Sequence, residues 1–295
     1  MQKTIGVILM AYGTPEKKED IEPYLKDIFR GKPVPYTVLE ETTKKYERIG
    51  FSPLKQITAK QCELLQQKLQ TRGINAIVEA GMKHWKPGIR DAFENLKKYK
   101  PDVIIGMIAH PFSSVLGSAE YTDIFNKNAG KNKTLMVSSW YENKQLYEAW
   151  AEEAHEKIDE FKDKKFYAIF TSHGLPLKIE DTEYKKELAE FSEKLAEKLN
   201  IEEYGVAYQN GEHKDWYTPE VMKRMEDLKN EGYAHALIIP VGYISESLET
   251  LYDIDVMYKQ KADNIGLTIE RVKCLNTSEK LIEAMAETIN KKRVD

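Results

Sequence analysis

The stretch Gly6-Val-Ile-Leu-Met10-Ala11-Tyr12-Gly13-Thr14-Pro15 decides the fold, because its pattern occurs twice. The second version is Phe166-Tyr-Ala-Ile-Phe170, followed after one residue by Ser172-His173-Gly174-Leu175-Pro176. Each reads as a buried apolar strand that delivers one polar ring and then turns sharply at Gly-x-Pro. Such a strand presents its last side chain at the carboxyl edge of an open α/β sheet, where these folds bind ligands. Two such edges predict two half-molecules facing a shared cleft.

Working outward, short β-rich apolar runs recur at 4–10, 75–81, 103–109, 134–138, 166–171, 204–208, 236–241 and 267–272. Amphipathic charged segments fill the intervals at 17–29, 38–48, 55–71, 87–98, 119–128, 143–160, 182–199, 218–231, 246–260 and 277–291. This alternation predicts βαβ crossovers and a largely parallel sheet. The repetition extends further. Lys86-Pro87 opens a helix that leads into the strand Val103–Ala109, and Thr218-Pro219 opens one that leads into Ala236–Val241. Proline is expected in the first helical turn of both copies. A duplicated α/β unit is the simplest account. The charged segment Glu152–Lys165 is the candidate boundary, giving domains 1–150 and 151–295.

The chain has 295 residues, 41% hydrophobic and 31% charged, enough for two medium domains with ample core. Its formal net charge of −4 argues against nucleic acid as a partner, which would call for a basic surface. The two cysteines, Cys62 and Cys274, have no metal or redox spacing, which fits a reducing cytosol. No apolar run is long enough to span a bilayer, and the N-terminus does not read as a signal peptide. A cytoplasmic monomer is expected; an apolar ligand would leave peripheral membrane contact open.

His173 is the leading candidate for chemistry. An imidazole at a strand's open edge can bind a metal or move a proton near neutral pH, and the plainer reading is a turn histidine bonded to backbone. Glu246, Glu249 and Asp253 are spaced i, i+3, i+7, which on an α-helix stacks three carboxylates on one face. First-turn acids also meet the helix dipole, but Asp253 lies beyond that turn. The stripe therefore reads as a metal path, since borderline ions accept mixed imidazole and carboxylate ligands. His110-Pro111-Phe112-Ser113-Ser114 reads as ligand contact or ordinary turn chemistry, and Trp85 as packing. His155, His213 and His235 lie in polar context and are expected to be exposed. No P-loop, G-x-G-x-x-G, nucleophile elbow or zinc pattern appears, which argues against nucleotide, dehydrogenase and serine-hydrolase chemistry.

Met10-Ala-Tyr-Gly-Thr-Pro15, Gly50-Phe-Ser-Pro-Leu54, Ser172-His-Gly-Leu-Pro176 and Pro240-Val-Gly-Tyr-Ile-Ser-Glu-Ser-Leu-Glu-Thr-Leu-Tyr-Asp253 together resemble the ferrochelatase family, in order and over nearly the whole chain. The likeness is nearest to the coproporphyrin III type of Gram-positive bacteria. It implies two Rossmann-like, chelatase-like domains, each a parallel four-stranded sheet flanked by helices. It implies a lyase-type chelatase that inserts Fe(II) into a porphyrin for haem biosynthesis, with both as substrates and no tightly bound cofactor. It implies His173 and Glu249 as the catalytic, metal-handling pair, with Glu246 and Asp253 lining an acidic route. Tyr12 would face the macrocycle's opposite side, and Arg30, Lys45, Tyr46, Ser52 and Tyr121 would contact the porphyrin. The chain departs from the family at His110-Pro111, where Pro-His is usual, and at Ser247, Met257 and Phe29. Two alternatives stay open: a cobalt or nickel chelatase on another tetrapyrrole, and a non-catalytic haem-binding or porphyrin-binding module.

Overall fold

The computed structural model describes residues 3–115, 117–161, 164–209 and 215–294. They form two compact units: Met1–Asn143 with Asn276–Asp295, and Lys144–Leu275. His213 lies outside the described residues.

In the first unit the strands β1 (Thr4–Ala11), β2 (Asn75–Met82), β3 (Val103–Ile108) and β4 (Thr134–Val137) pair in parallel in the order β2-β1-β3-β4. Its helices are α1 (Lys18–Ile28), α2 (Tyr36–Ile49), α3 (Leu54–Thr71), α4 (Ile89–Lys97), α5 (Gly117–Ala129) and α10 (Glu279–Val294). β1 lies between β2 and β3, and Val7, Ile8, Leu9 and Met10 are fully buried, as a parallel strand covered on both faces requires. The second unit repeats the plan. Its strands β5 (Phe166–His173), β6 (Tyr204–Gln209), β7 (His235–Ile239) and β8 (Thr268–Arg271) run parallel in the order β6-β5-β7-β8. Around them stand α6 (Lys144–Glu160), α7 (Thr182–Leu199), α8 (Val221–Asn230), a π-helix over Glu249–Tyr258 and α9 (Lys259–Ile265). Every strand expected from the sequence is present.

The repeated prolines occupy equivalent places but not the expected one. Pro87 and Pro219 each lie two residues before the first helical residue, after a cis peptide bond. Their carbonyls extend the strand ladders instead: Met82 N–H donates to Pro87 O at 2.7 Å, and Tyr208 N–H to Pro219 O at 2.8 Å. β7 stops at Ile239 because Pro240 has no N–H to give the ladder.

The domain limits also differ from expectation. The first break falls at Asn143, and Glu152 lies inside α6 instead of at a boundary. The last segment belongs to the first unit, because α10 lies along α3. There Gln61 Nε2 donates to Asn276 O at 2.6 Å, Lys68 pairs with Glu283 at 3.2 Å, and Arg72 pairs with Glu283 as well. Cys62 and Cys274 are buried and not disulfide-bonded. His155 is exposed as expected, but His235 is only half-exposed, its ring 5.7 Å from that of Phe161. No helix among the described residues is long and apolar enough to cross a membrane.

Candidate active site

In the second unit, His173 is the last residue of β5 and its side chain is exposed. Its Nδ1 lies 2.6 Å from Gly174 O. A carbonyl can only accept, so Nδ1 carries the proton and Nε2 is left as the ring's acceptor. That is the tautomer a metal ligand or general base needs. The backbone beneath the ring is clamped. Tyr184 donates its hydroxyl to His173 O at 2.7 Å, and Ser172 Oγ lies 2.5 Å from the same hydroxyl. Trp216 flanks the ring at 5.5 Å between centroids.

The turn after β7 leads to the acidic segment. Gly242 N–H donates to Thr171 O at 3.0 Å, and the approach is so close that a Cβ on Gly242 would fall 2.8 Å from Ser172 Cα. Only glycine lets the two strand ends meet there. The segment 246–260 is not the expected α-helix. Helical structure begins at Leu248, and Glu249–Tyr258 is wound as a π-helix, a rare form that recurs at functional sites. Glu246 precedes the helix, so the i, i+3, i+7 stripe does not form.

Glu246 is instead fully engaged. Its Oε1 accepts from Arg271 Nη1 at 3.0 Å and from Cys274 N–H at 3.0 Å, and its Oε2 from Thr250 Oγ1 at 2.6 Å. Burial alone would push its pKa up, but Arg271 and these donors outweigh it and hold it below the usual carboxylate range. Arg271 also forks onto Asp255, with Nε at 2.6 Å and Nη2 at 2.7 Å.

Glu249, half-exposed, accepts from Ser247 Oγ at 2.7 Å on its Oε2. Glu249 and Asp253 bear on one phenol: burial first, then both charges, push the Tyr243 hydroxyl well above its ordinary pKa. Glu249 is tied to the His173 strand through Gln209, the β6 residue in register with His173. Gln209 Nε2 donates to Glu249 O at 3.2 Å, and its Oε1 accepts from Thr171 Oγ1 at 2.9 Å. Among the described residues no group of three or more His, Cys, Asp or Glu side chains could hold a metal ion by itself.

In the first unit, Tyr12 follows β1 and is 40% exposed. The loop after β2 pins it: Lys83 N–H donates to Ala11 O at 2.8 Å and His84 N–H to Tyr12 O at 2.9 Å. Gly13 has φ of 102° and a Cβ there would fall 2.9 Å from Trp85 Cβ, so the turn needs glycine twice over. Trp85 packs edge-on against Tyr24, as expected of it. The His84 ring sits 4.8 Å from that of Tyr12 and its Nδ1 lies 2.8 Å from Asp27; burial depresses its pKa against the pull of that carboxylate.

The other residues expected to contact ligand fall into two groups. Arg30 is exposed and pairs with Glu120, and Lys45 on α2 is half-exposed. Tyr46, Ser52 and Tyr121 are buried. Tyr46 Oη accepts from Thr14 Oγ1 at 3.3 Å, Ser52 Oγ accepts from Leu54 N–H at 3.3 Å, and the Tyr121 ring lies 5.2 Å from Lys83 Nζ. In the segment after β3, Ser114 acts as turn chemistry, its Oγ accepting from Gly117 N–H at 2.8 Å.

The ferrochelatase family profile matches residues 4–293. The chain belongs to the ferrochelatase family. It is 32% identical over 303 residues to the coproporphyrin III ferrochelatase of Halalkalibacterium halodurans, covering 99% of this chain and 98% of that one. It is 32% identical over 305 residues to the coproporphyrin III ferrochelatase of Bacillus subtilis, covering 99% and 98%. Among solved structures, it resembles SirB from Bacillus subtilis with Fe3+ at a TM-score of 0.63 and 9% identity, over 99% of this chain and 96% of that one. CbiX, the terminal enzyme for biosynthesis of siroheme in denitrifying bacteria, matches at 0.57 and 11% identity, over 98% and 99%. The ferrochelatase-family chain thus has the chelatase fold.

Sequence reasoning passed over three residues beside the candidate positions of this ferrochelatase-family chain, one in the first unit and two in the second. Lys83 is one of 44 basic residues and stands in no motif, yet its side chain is only 7% exposed, pairs with Glu120 and lies 5.6 Å from the Tyr12 ring centroid. Gln209 and Tyr184 are ordinary in sequence; a polar residue at the end of an apolar strand was the only signal for Gln209.

Proposed function

We propose that this chain inserts ferrous iron into coproporphyrin III, a lyase-type step of haem biosynthesis carried out in the cytoplasm, without a bound cofactor. The observation that carries the reading is the His173 ring: an exposed imidazole at a strand's open edge, held by Gly174 O as the tautomer whose Nε2 accepts. As iron enters, the macrocycle must give up its inner N–H protons. Nε2 is the acceptor for one of them, and the Glu249 carboxylate is the acceptor for the other. Glu249 assists as the partnered carboxylate, and Asp253 supplies the approach. Glu246, with both oxygens engaged, anchors the turn by way of Arg271.

In the first unit, Tyr12 offers an exposed ring and phenol to the porphyrin. Lys83, Arg30 and Lys45 offer positive charge to its propionates; Lys83 and Arg30 share Glu120. Tyr46, Ser52 and Tyr121 act from beneath, shaping the surface. Contacts of this kind offset the distortion that brings the ring nitrogens towards the metal, a strain of about 1–5 kcal/mol in enzymes generally.

The test is anaerobic absorbance of coproporphyrin III with Fe(II), beside protoporphyrin IX and sirohydrochlorin and a panel of Fe(II), Co(II) and Ni(II). Collapse of the free-base bands is expected fastest for coproporphyrin III with Fe(II). No metallation at any protein level would favour a porphyrin-binding module, and a preference for sirohydrochlorin with Co(II) or Ni(II) another chelatase.

A further inference from the structure

We propose that Gln209 is a positioning residue that keeps Glu249 in register with His173. The proposal rests on the reading of His173 and Glu249 as the metal-handling pair. Gln209 is 3% exposed, at the end of β6, and each of its polar groups is committed to one side of that pair. Its backbone carbonyl accepts from Gly174 N–H at 3.0 Å, which holds the residue whose own carbonyl sets the His173 tautomer. Its Oε1 accepts from Thr171, two residues before His173 on β5, and its Nε2 donates to the carbonyl of Glu249, the first residue of the π-helix.

The amide orientation is set by its neighbours. Glu249 O cannot donate, so Nε2 must face it; the Thr171 hydroxyl can donate, so Oε1 faces Thr171. Other ties on this stretch include Thr250 Oγ1 to Glu246 Oε2 at 2.6 Å, Ser247 N–H to Thr250 Oγ1 at 3.0 Å, Leu251 N–H to Ser247 O at 3.0 Å and the Arg271 fork onto Asp255. These hold the segment to its own turn and to the β8 side through Arg271. Gln209 ties Glu249 to the β5–β6 edge, where His173 stands. Misplacing a reacting group by about 1 Å can cost about 10²-fold in rate, so an amide anchor at 3.2 Å is enough to matter.

The experiment compares wild type, Gln209→Leu, Gln209→Glu, Glu249→Asp and the double variant Gln209→Leu/Glu249→Asp. Single-turnover Fe(II) insertion into coproporphyrin III gives the rate, fluorescence quenching gives porphyrin affinity, and thermal unfolding controls for folding. Gln209→Leu is expected to lower the insertion rate about tenfold or more with porphyrin affinity unchanged. Gln209→Glu keeps the shape and loses the donor, so it should fall with Gln209→Leu; it serves alone if the leucine variant does not fold. In the Glu249→Asp background the leucine change should cost less than about twofold, because the two residues act as one unit. An unchanged rate in both Gln209 variants, or losses that multiply in the double variant, would overturn the proposal. A wild-type protein that metallates nothing overturns instead the reading on which it rests.

Discussion

Tyr184 donates its hydroxyl to the backbone carbonyl of His173 at 2.7 Å, from a helix on the far side of the β5 turn. The hydroxyl is buried and also takes part in the contact with Ser172. Tyr184→Phe leaves both polar groups of β5 short of a partner. A loss of about 1–3 kcal/mol in unfolding free energy is expected, read by urea denaturation. Insertion should slow with it, since the clamped peptide carries the ring proposed to take a proton from the macrocycle.

His173→Ala is expected to lower iron insertion by about 10²–10⁴-fold while leaving coproporphyrin binding within a few-fold of wild type. Parallel rate and fluorescence titrations check this. An alanine variant that inserts iron at the wild-type rate would remove His173 from the mechanism.

Gly242→Ala should be among the most damaging single-methyl changes in the second unit. The new Cβ would lie 2.5 Å from Ser172 Cβ and 2.8 Å from Ser172 Cα, and backbone cannot step aside as a flexible side chain can. A cost of about 1–3 kcal/mol or more is expected, visible as a lowered unfolding midpoint, together with slowed insertion.

Glu246 gives a pH signature. Its folded pKa is held below the ordinary value, so its stabilising effect is complete above about pH 4.3 and is lost as pH falls through the lower folded value. Glu246→Gln should lower stability at neutral pH by about 1–3 kcal/mol, because Arg271 keeps Asp255 but loses the second carboxylate. The gap from wild type should narrow on acidification below about pH 4.3. Urea midpoints across that range measure it; a constant gap would show that the ion pair is not the source.

Much of the fold could be read in the sequence because parallel strands covered on both faces leave unbroken apolar runs. Ile5–Ala11 and Ala168–Ser172 are buried from end to end, and their short length, β-branched content and flanking Gly-x-Pro mark them as strands. The partner of α10 could not be read, because an amphipathic helix shows that it is covered without showing by what. The π-helix escaped the sequence for a related reason: periodicity supports an α-helix through Glu246, and nothing in the order of residues announces a widened turn. At the site, His173 stood out by type and place. Gln209 and Lys83 matter through what surrounds them, and those neighbours come from strands and loops distant in sequence.

The attachment of α10 to α3 inverts the order in which the units become complete. Every residue of the second unit, Lys144–Leu275, is synthesised before Asn276–Asp295, which the first unit still awaits. Domains generally fold as units during synthesis, earliest part first. Here the unit that starts later has its whole chain earlier. Chains arrested just after Leu275 should therefore show a protease-resistant second unit and a first unit still open to cleavage along α3, the helix whose partner has not yet been made.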